Sequence, residues 1–222
     1  MNGLYVSFLF SILDNLKLKF MKKIFLSVFS FIATLSMYAQ NISPIDIGTE
    51  IPMANESMKD VSGKNFSIAD IKGKNGTLVM FSCNTCPWVI KYQARTIKAI
   101  EFAKKNNVAV IIINSNEDYR TKDDSFNEMK TYASTQGYSV PYVVDTDSKV
   151  ANAFGATRTP EMFLFNTENK LVYQGAIDDN AGDANAVSKI YLHQAITELS
   201  NGLEVSIKKT KSVGCTIKRV PK

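Results

Sequence analysis

The chain contains 222 residues, which is enough for one domain with a sizeable core. Of its 26 Lys and Arg and its 21 Asp and Glu, four lysines and one aspartate precede residue 40, so residues 40–222 keep 22 basic and 20 acidic side chains, a net charge of about +2. So small a charge excludes the basic surface of a nucleic-acid-binding protein, and we expect no nucleic-acid partner.

Residues 1–39 are typical of a leader rather than of a folded domain. Met21-Lys-Lys is a positively charged start, residues 24–35 are almost entirely apolar, and Ala39 is a small residue at a suitable cleavage point. Together they indicate a secretory signal peptide over Met21–Ala39. Because signal peptides begin with their charges, we interpret Met21 as the true start of the protein, preceded by an N-terminal extension that comes from a misplaced start codon.

The leader also predicts where the mature protein works. Its apolar run is shorter than the ~20 residues that a transmembrane helix needs, so we expect no stable membrane anchor after cleavage. We predict an exported, periplasmic protein whose residues 40–222 form a single domain with a cysteine-containing C-terminal tail. Export places its thiols in an oxidising compartment.

Downstream of the leader, apolar runs alternate with helical periodicities. Residues 40–66 predict short strands or a hairpin, and residues 67–74 a helical turn. We predict strands over 77–81, 108–114, 138–145, 161–165 and 171–174, and helices over 86–105, 125–136, 147–154 and 184–200. The run 108–114 is continuous and β-branched, which is typical of a buried parallel strand. This order indicates an α/β sandwich with a mixed central sheet flanked by helices.

Two of the three cysteines are separated by only two residues at a predicted strand-to-helix junction. Cys83 and Cys86 follow the apolar run 78–81 and precede a long helical periodicity. Helix N-termini expose unpaired N–H groups and the positive end of the helix dipole, and both favour a thiolate over a thiol. Pro87 suits the first helical turn, where a missing N–H costs nothing. The pattern predicts a site for thiol chemistry.

The position of each cysteine predicts its role. We expect Cys83 to be the nucleophile, because it precedes the helix, is the more exposed of the pair and receives the terminal N–H groups. Cys86, inside the first turn and partly covered, is then placed to attack a mixed disulfide formed at Cys83. Trp88, beside the pair, is assigned to the substrate-binding region and should report the redox state by fluorescence.

Two other interpretations of the pair stay open. One is a static structural disulfide. The other is a zinc site, for which His193 and Cys215 are the only other soft ligands that could complete a tetrahedral set. We expect neither a metal nor another cofactor.

Cys215 is the third cysteine, in a tail after the last predicted helix. It is either a packed free thiol in a terminal strand, a third redox thiol that forms a disulfide with Cys83 or Cys86 during turnover, or the site of an intermolecular bridge. Gly214 beside it allows a close approach to another part of the chain.

Thr159-Pro160 directly precedes the predicted strand 161–165. A cysteine pair at a strand-to-helix junction, followed later by this dipeptide before a strand, resembles the motif pattern of the thioredoxin superfamily. Four segments narrow the resemblance to bacterial thioredoxin-like redoxin proteins, which are related to the TlpA and AhpC/TSA groups: Phe-Ser-Cys-Asn-Thr-Cys-Pro (81–87), Ile-Asn-Ser-Asn (113–116), Ile-Asp-Asp-Asn (177–180) and Val-Gly-Cys-Thr-Ile-Lys (213–218).

The resemblance implies a thioredoxin-like sandwich and a substrate site. Pro160 would be cis and pack over the redox pair, and Thr159 would offer its backbone to a substrate chain by β-augmentation. The chain departs from thioredoxins in two respects, since the strand 78–82 contains no carboxylate and Ser82 stands where thioredoxins have tryptophan.

The chain also departs from peroxiredoxins. Their Pro-x-x-x-Thr-x-x-Cys pattern, ended at Cys86, would place Val79 and Cys83 at the Pro and Thr positions. Arg95 and Arg158 are the nearest candidates for the arginine that a peroxide site needs.

These observations predict an exported thiol–disulfide oxidoreductase. Its partners would be protein thiols or disulfides and a membrane or soluble thiol reductant. Two alternatives are a thiol peroxidase, in which a cysteine is oxidised to a sulfenate, and a non-catalytic binding module or metal chaperone that keeps the fold.

Overall fold

The structure, a computed structural model, describes residues 42–220, so the predicted signal peptide lies outside the described residues. Nine strands and four helices of more than one turn are described there. The strands are β1 (Met58–Asp60), β2 (Asn65–Phe66), β3 (Thr77–Ser82), β4 (Ala109–Asn114), β5 (Tyr142–Val144), β6 (Arg158–Thr159), β7 (Glu161–Phe165), β8 (Leu171–Gly175) and β9 (Cys215–Thr216). The helices are α1 (Pro87–Lys105), α2 (Phe126–Gln136), α3 (Lys149–Phe154) and α4 (Tyr191–Ser200).

Seven strands form one mixed sheet in the order β2-β1-β5-β4-β3-β7-β8. Strands β3, β4 and β5 are parallel, whereas β1 and β7 run antiparallel to their neighbours β5 and β3. The remaining two strands, β6 and β9, form a separate short ribbon. This is the thioredoxin-like sandwich that the resemblance implied.

Helices cover both faces of the sheet, which explains why its central strands are continuous apolar runs. Leu78 and Met80 of β3 pack in one cluster with residues of α1, α2 and α4, whereas Val79 and Phe81 pack in a second cluster with α3. Alternate side chains of a strand point to opposite faces, so a strand covered on both sides has no solvent-facing position and is mostly apolar. Every residue of β3 is buried. The strand that leads to the cysteines is therefore held on both sides.

The structure corrects three predicted boundaries. The last helix begins at Tyr191 rather than at residue 184, because the Asp183 side chain caps a separate 3-10 turn, Ala184–Ala186, and Val187 is extended. The strand predicted over 138–145 is reduced to Tyr142–Val144, and Pro141 before it has no N–H for a ladder. Helix α3 begins at Lys149 rather than at residue 147. No described helix is long and apolar enough to cross a lipid bilayer.

Candidate active site

Strand β3 and helix α1 position the cysteine pair. β3 ends at Ser82, Cys83 to Thr85 form a short loop, and α1 begins at Pro87 with Cys86 as its N-cap. Proline occupies the first helical position, as its missing N–H predicts. The pair thus lies at the strand-to-helix junction that the sequence predicted.

The expected order of exposure was wrong. Cys83 is 1% exposed and Cys86 is 5% exposed, so both sulfurs are buried and Cys83 is the more deeply buried. Cys86, not Cys83, stands at the N-cap of α1, where the unpaired N–H groups of the first turn are closest. The cause is the loop between them, which turns Cys83 inward because the buried Asp124 carboxylate accepts the Asn84 backbone N–H at 2.8 Å.

Thr159 brings the thiols together from the opposite side. Its hydroxyl oxygen lies 3.3 Å from the Cys83 sulfur, and its carbonyl oxygen lies 3.3 Å from the Cys86 sulfur, from which it accepts a hydrogen bond while Cys86 is protonated. The Thr159–Pro160 peptide bond is cis. In the β6–β9 ribbon, Thr159 lies opposite Cys215, which packs against the buried Cys83, Cys86 and Val89. All three cysteines are free thiols and all three converge on Thr159.

The electrostatics of this cluster favour a single thiolate on Cys86. The pKa of Cys86 is lowered well below its ordinary value, first by a hydrogen bond from the Cys83 thiol and then by the Cys215 thiol and the Val89 N–H. The pKa of Cys83 is raised, because its proton is held in the bond to Cys86 and because it is buried. Burial and the bond to Cys86 also raise the pKa of Cys215. One proton donor on each side therefore stabilises the Cys86 thiolate.

A buried polar network that was not predicted from the sequence lies next to Cys83. Asp124 is fully buried, and its carboxylate accepts hydrogen bonds from the side-chain amides of Asn114 and Asn116 in addition to the Asn84 N–H. The Tyr142 hydroxyl donates to the Asn84 side-chain oxygen at 2.8 Å. The motif Ile-Asn-Ser-Asn (113–116) spans the carboxyl end of β4, which lies beside that of β3, so its position next to Cys83 could have been inferred. The burial of Asp124 could not be predicted from the sequence, because the residue lies in a polar loop.

A second missed residue supports Thr159 and Pro160. Glu161 is the charged residue in an otherwise apolar strand, and it is 2% exposed. Its carboxylate accepts the N–H groups of Thr157 and Arg158 and the side-chain amide of Gln174. Burial raises its pKa. Glu161 thus holds the turn that presents Thr159 to the cysteines.

The remaining predicted residues lie at different distances from the thiols. Trp88 packs against the cysteine cluster and the Lys91 ammonium lies 5.1 Å from its ring centroid. Arg95 forms an ion pair with buried Asp178 at 2.8 Å, whereas Arg158 donates to the Gly214 carbonyl. The two arginines considered for a peroxide site therefore have other partners.

His193 lies on α4 and stacks on Phe102 with ring centroids 4.0 Å apart, so it is a packed histidine. Within residues 42–220, no group of three or more His, Cys, Asp or Glu side chains is arranged to hold a metal ion.

The chain is similar to known proteins over most of its described length. A family model described as Redoxin matches residues 46–190. The chain is 32% identical over 130 residues to the thiol-disulfide oxidoreductase ResA of Bacillus subtilis; the aligned part is 58% of this chain and 66%, just under two thirds, of that relative.

Two solved structures share the fold with a TM-score of 0.74. One is a hypothetical protein from Sinorhizobium meliloti 1021, 30% identical, with 81% of this chain and 98% of that one covered. The other is an uncharacterized conserved protein from Geobacillus kaustophilus, 31% identical, with 80% and 94% covered. Since the family model matches more than half of the sequence, the chain belongs to the Redoxin family.

Proposed function

We propose that this protein is an exported thiol–disulfide oxidoreductase that exchanges electrons with protein thiols and disulfides through Cys83 and Cys86. The observation that carries the proposal is the convergence of both sulfurs on Thr159 at the N-terminus of α1, with the pKa of Cys86 lowered. Thiolates, not thiols, perform disulfide exchange, so a stabilised thiolate beside a second thiol is the arrangement that this reaction needs.

The attacking role belongs to Cys86, which reverses the assignment expected from the sequence. The Cys86 thiolate attacks one sulfur of a substrate disulfide, forms a mixed disulfide and expels the other substrate sulfur as a thiolate. Cys83 then loses its proton and attacks the Cys86 sulfur, which forms the Cys83–Cys86 disulfide and releases the second substrate thiolate. Two electrons pass to the substrate, and the same steps in reverse oxidise a dithiol.

Two further observations support the proposal. The similar Bacillus subtilis protein is named as a thiol-disulfide oxidoreductase. Export is supported by the leader pattern of Met21–Ala39, with its positive start, apolar run and small residue at the cleavage point. A thiol reductant and protein disulfides are the partners that such a reaction requires.

Reduction of insulin by dithiothreitol tests the proposal, with the full chain compared with Cys86→Ser and Cys83→Ser. We expect the full chain to accelerate the reduction and Cys86→Ser to abolish the acceleration. Cys83→Ser combined with Cys215→Ser should accumulate a mixed disulfide with insulin at Cys86, because no neighbouring thiol is left to resolve it. Peroxide consumption at a higher rate than insulin reduction, or full insulin reduction by Cys86→Ser, would contradict the proposal.

A further inference from the structure

The third thiol, Cys215, is built into the cluster although it lies outside the family match, which ends at residue 190. Its strand β9 pairs with β6, and its sulfur packs against the buried pair. The backbone N–H of Trp88, in the first turn of α1, opposes the rise in the pKa of Cys215, and the backbone N–H of Val89 helps to lower the pKa of Cys86. Backbone N–H groups of the first turn of α1 therefore act on both the Cys86 sulfur and the Cys215 sulfur.

The tail that carries Cys215 is fixed to the domain on both sides of the cysteine. The Gly214 carbonyl accepts from Arg158 at 2.9 Å, and a Cβ at Gly214 would come within 2.3 Å of the Thr159 carbonyl oxygen. After the cysteine, the Ile217 N–H donates to the Thr157 carbonyl at 3.1 Å, and Ile217 is only 5% exposed. The Lys218 N–H donates to the Asn116 side chain at 2.9 Å. Glycine is therefore required where the two backbones meet.

Access to the three sulfurs differs. Cys83 and Cys86 are buried, whereas Cys215 is half-buried and is the most accessible of the three. The backbone of Thr159, which a substrate strand would pair with, is already paired with Cys215. A substrate strand that pairs with the backbone of Thr159 must therefore displace β9, whereas the Cys215 side chain is accessible with the ribbon intact.

We propose that Cys215 is the exchange thiol of the protein: a Cys86–Cys215 disulfide is a working redox state, and substrates exchange electrons at the Cys215 sulfur. This inference rests on the proposed function and changes its substrate-facing step, because the Cys215 sulfur, rather than the Cys86 sulfur, then forms the bond with the substrate. The buried Cys83–Cys86 pair then exchanges its two electrons with Cys215 rather than with the substrate.

The exchange balances as follows for the oxidation of a substrate dithiol. The Cys215 thiolate attacks the Cys86 sulfur of the Cys83–Cys86 disulfide, forms the Cys86–Cys215 bond and expels Cys83, which takes up the proton that Cys215 lost. A substrate thiolate attacks the Cys215 sulfur, forms a mixed disulfide and expels Cys86 as a thiolate. The second substrate thiolate attacks the substrate sulfur of that mixed disulfide, which completes the substrate disulfide and releases Cys215.

The chemistry of the leaving groups supports this order. A disulfide is cleaved faster when the expelled thiol has a lower pKa. In the Cys86–Cys215 disulfide, attack at the accessible Cys215 sulfur expels Cys86, the thiol that this site stabilises as an anion. Attack from outside at the buried Cys86 sulfur would instead expel Cys215, whose thiolate is less stabilised.

Peptide mapping after oxidation tests the inference directly. Cys83 and Cys86 lie in one tryptic peptide, 75–91, and Cys215 lies in another, 212–218, so a Cys86–Cys215 disulfide links two peptides whereas Cys83–Cys86 does not. The full chain carrying Cys83→Ser is oxidised with diamide, digested without reduction and analysed by mass spectrometry. We expect linked 75–91 and 212–218 as the main product, and its absence would overturn the inference.

A rate measurement provides the second arm, with insulin and dithiothreitol as the probe. Cys215→Ser should slow insulin reduction roughly tenfold or more while the Cys83–Cys86 disulfide still forms. Val213→Ser changes the same tail but keeps the thiol, and it should retain the rate of the unmodified chain. An unchanged rate in Cys215→Ser would overturn the inference and leave the proposed function intact. Failure of the proposed function would show differently, as an unmodified chain that reduces no insulin.

Discussion

Cys215 lies directly opposite Thr159 in the β6–β9 pair, so the chain's own C-terminal segment occupies the backbone edge that the resemblance assigned to a substrate. Docking of a partner on Thr159 remains a prediction, and it competes with this internal strand. The pairing also explains why two sulfurs at the start of a helix are so little exposed, since β9 covers them from the side of Thr159. The candidate redox site is therefore a cluster of three thiols that β9 covers on the side of Thr159.

The lowered pKa of Cys86 predicts the pH dependence of its alkylation. A thiol with a lowered pKa is already a thiolate below the ordinary cysteine value of about 8.5, and it loses this form only as the pH falls towards its own pKa. We expect the rate of Cys86 carbamidomethylation by iodoacetamide to be nearly constant between about pH 6 and 8 in the folded, reduced protein. In the urea-unfolded control the rate should instead rise steeply as the pH increases from about 6 to 8, because the thiolate fraction of an ordinary cysteine increases over that range. A folded-state rate that titrates near 8.5 would contradict the assignment.

Gly214→Ala should detach β9 from β6. The added Cβ would lie 2.3 Å from the Thr159 carbonyl oxygen and 2.7 Å from its carbonyl carbon, both far below van der Waals contact. We expect a loss of about 1–3 kcal/mol in the free energy of unfolding, as for other overpacked sites, and several-fold faster alkylation of Cys86. Urea titration and alkylation rates measure the two effects. Val213→Ala is the matched control in the same tail, and equal alkylation in both variants would contradict the prediction.

Asp124→Asn should destabilise the loop that turns Cys83 inward. The Asp124 carboxylate accepts three N–H hydrogen bonds. In an asparagine, the NH2 group would replace one of the two accepting oxygens and would face an N–H group that it cannot accept from. Leaving a buried donor without an acceptor costs about 1–3 kcal/mol, so we expect a decrease of that size in the free energy of unfolding by urea.

The neighbouring Asp123→Asn, at an exposed position, is the control for Asp124→Asn and should change stability by less than about 0.5 kcal/mol. Asp124→Asn also removes a negative charge that raises the pKa of Cys83. The hydrogen bond to Cys86 and burial are the main causes of the raised pKa of Cys83, and the Asp124 charge adds to them. Asp124→Asn should therefore lower that pKa, which is measurable from the pH dependence of Cys83 alkylation.

Arg95→Gln should destabilise the protein without altering the thiols. Arg95 joins α1 to the loop after β8 by an ion pair with Asp178, whose side chain is 1% exposed. Removal of the arginine leaves a buried carboxylate without its charge partner, which costs about 3–5 kcal/mol. Lys170→Gln breaks an exposed pair with Glu50 and should cost less than about 1 kcal/mol. Equal unfolding midpoints in urea for the two variants would refute this difference.

Local patterns were sufficient to predict the frame of the site. The apolar run before Cys83 and the helical periodicity after Cys86 both depend on residues close in sequence, so the strand, the helix and the junction between them could be predicted. The α/β sandwich followed from the alternation of such segments. Boundaries were less accurate where turns decide them, as at Asp183, which caps a 3-10 turn and delays α4 to Tyr191.

The sequence by itself determined that two thiols stand at the start of a helix after a buried strand, because strand, helix and spacing are local properties. Only the tertiary structure decided which thiol has the lowered pKa, since the pKa values of the pair depend on Asp124, Thr159 and Cys215, which lie far from it in the chain and contact it only after folding. Burial also depends on the whole fold, and for that reason the exposed nucleophile expected at Cys83 became the most deeply buried of the three thiols.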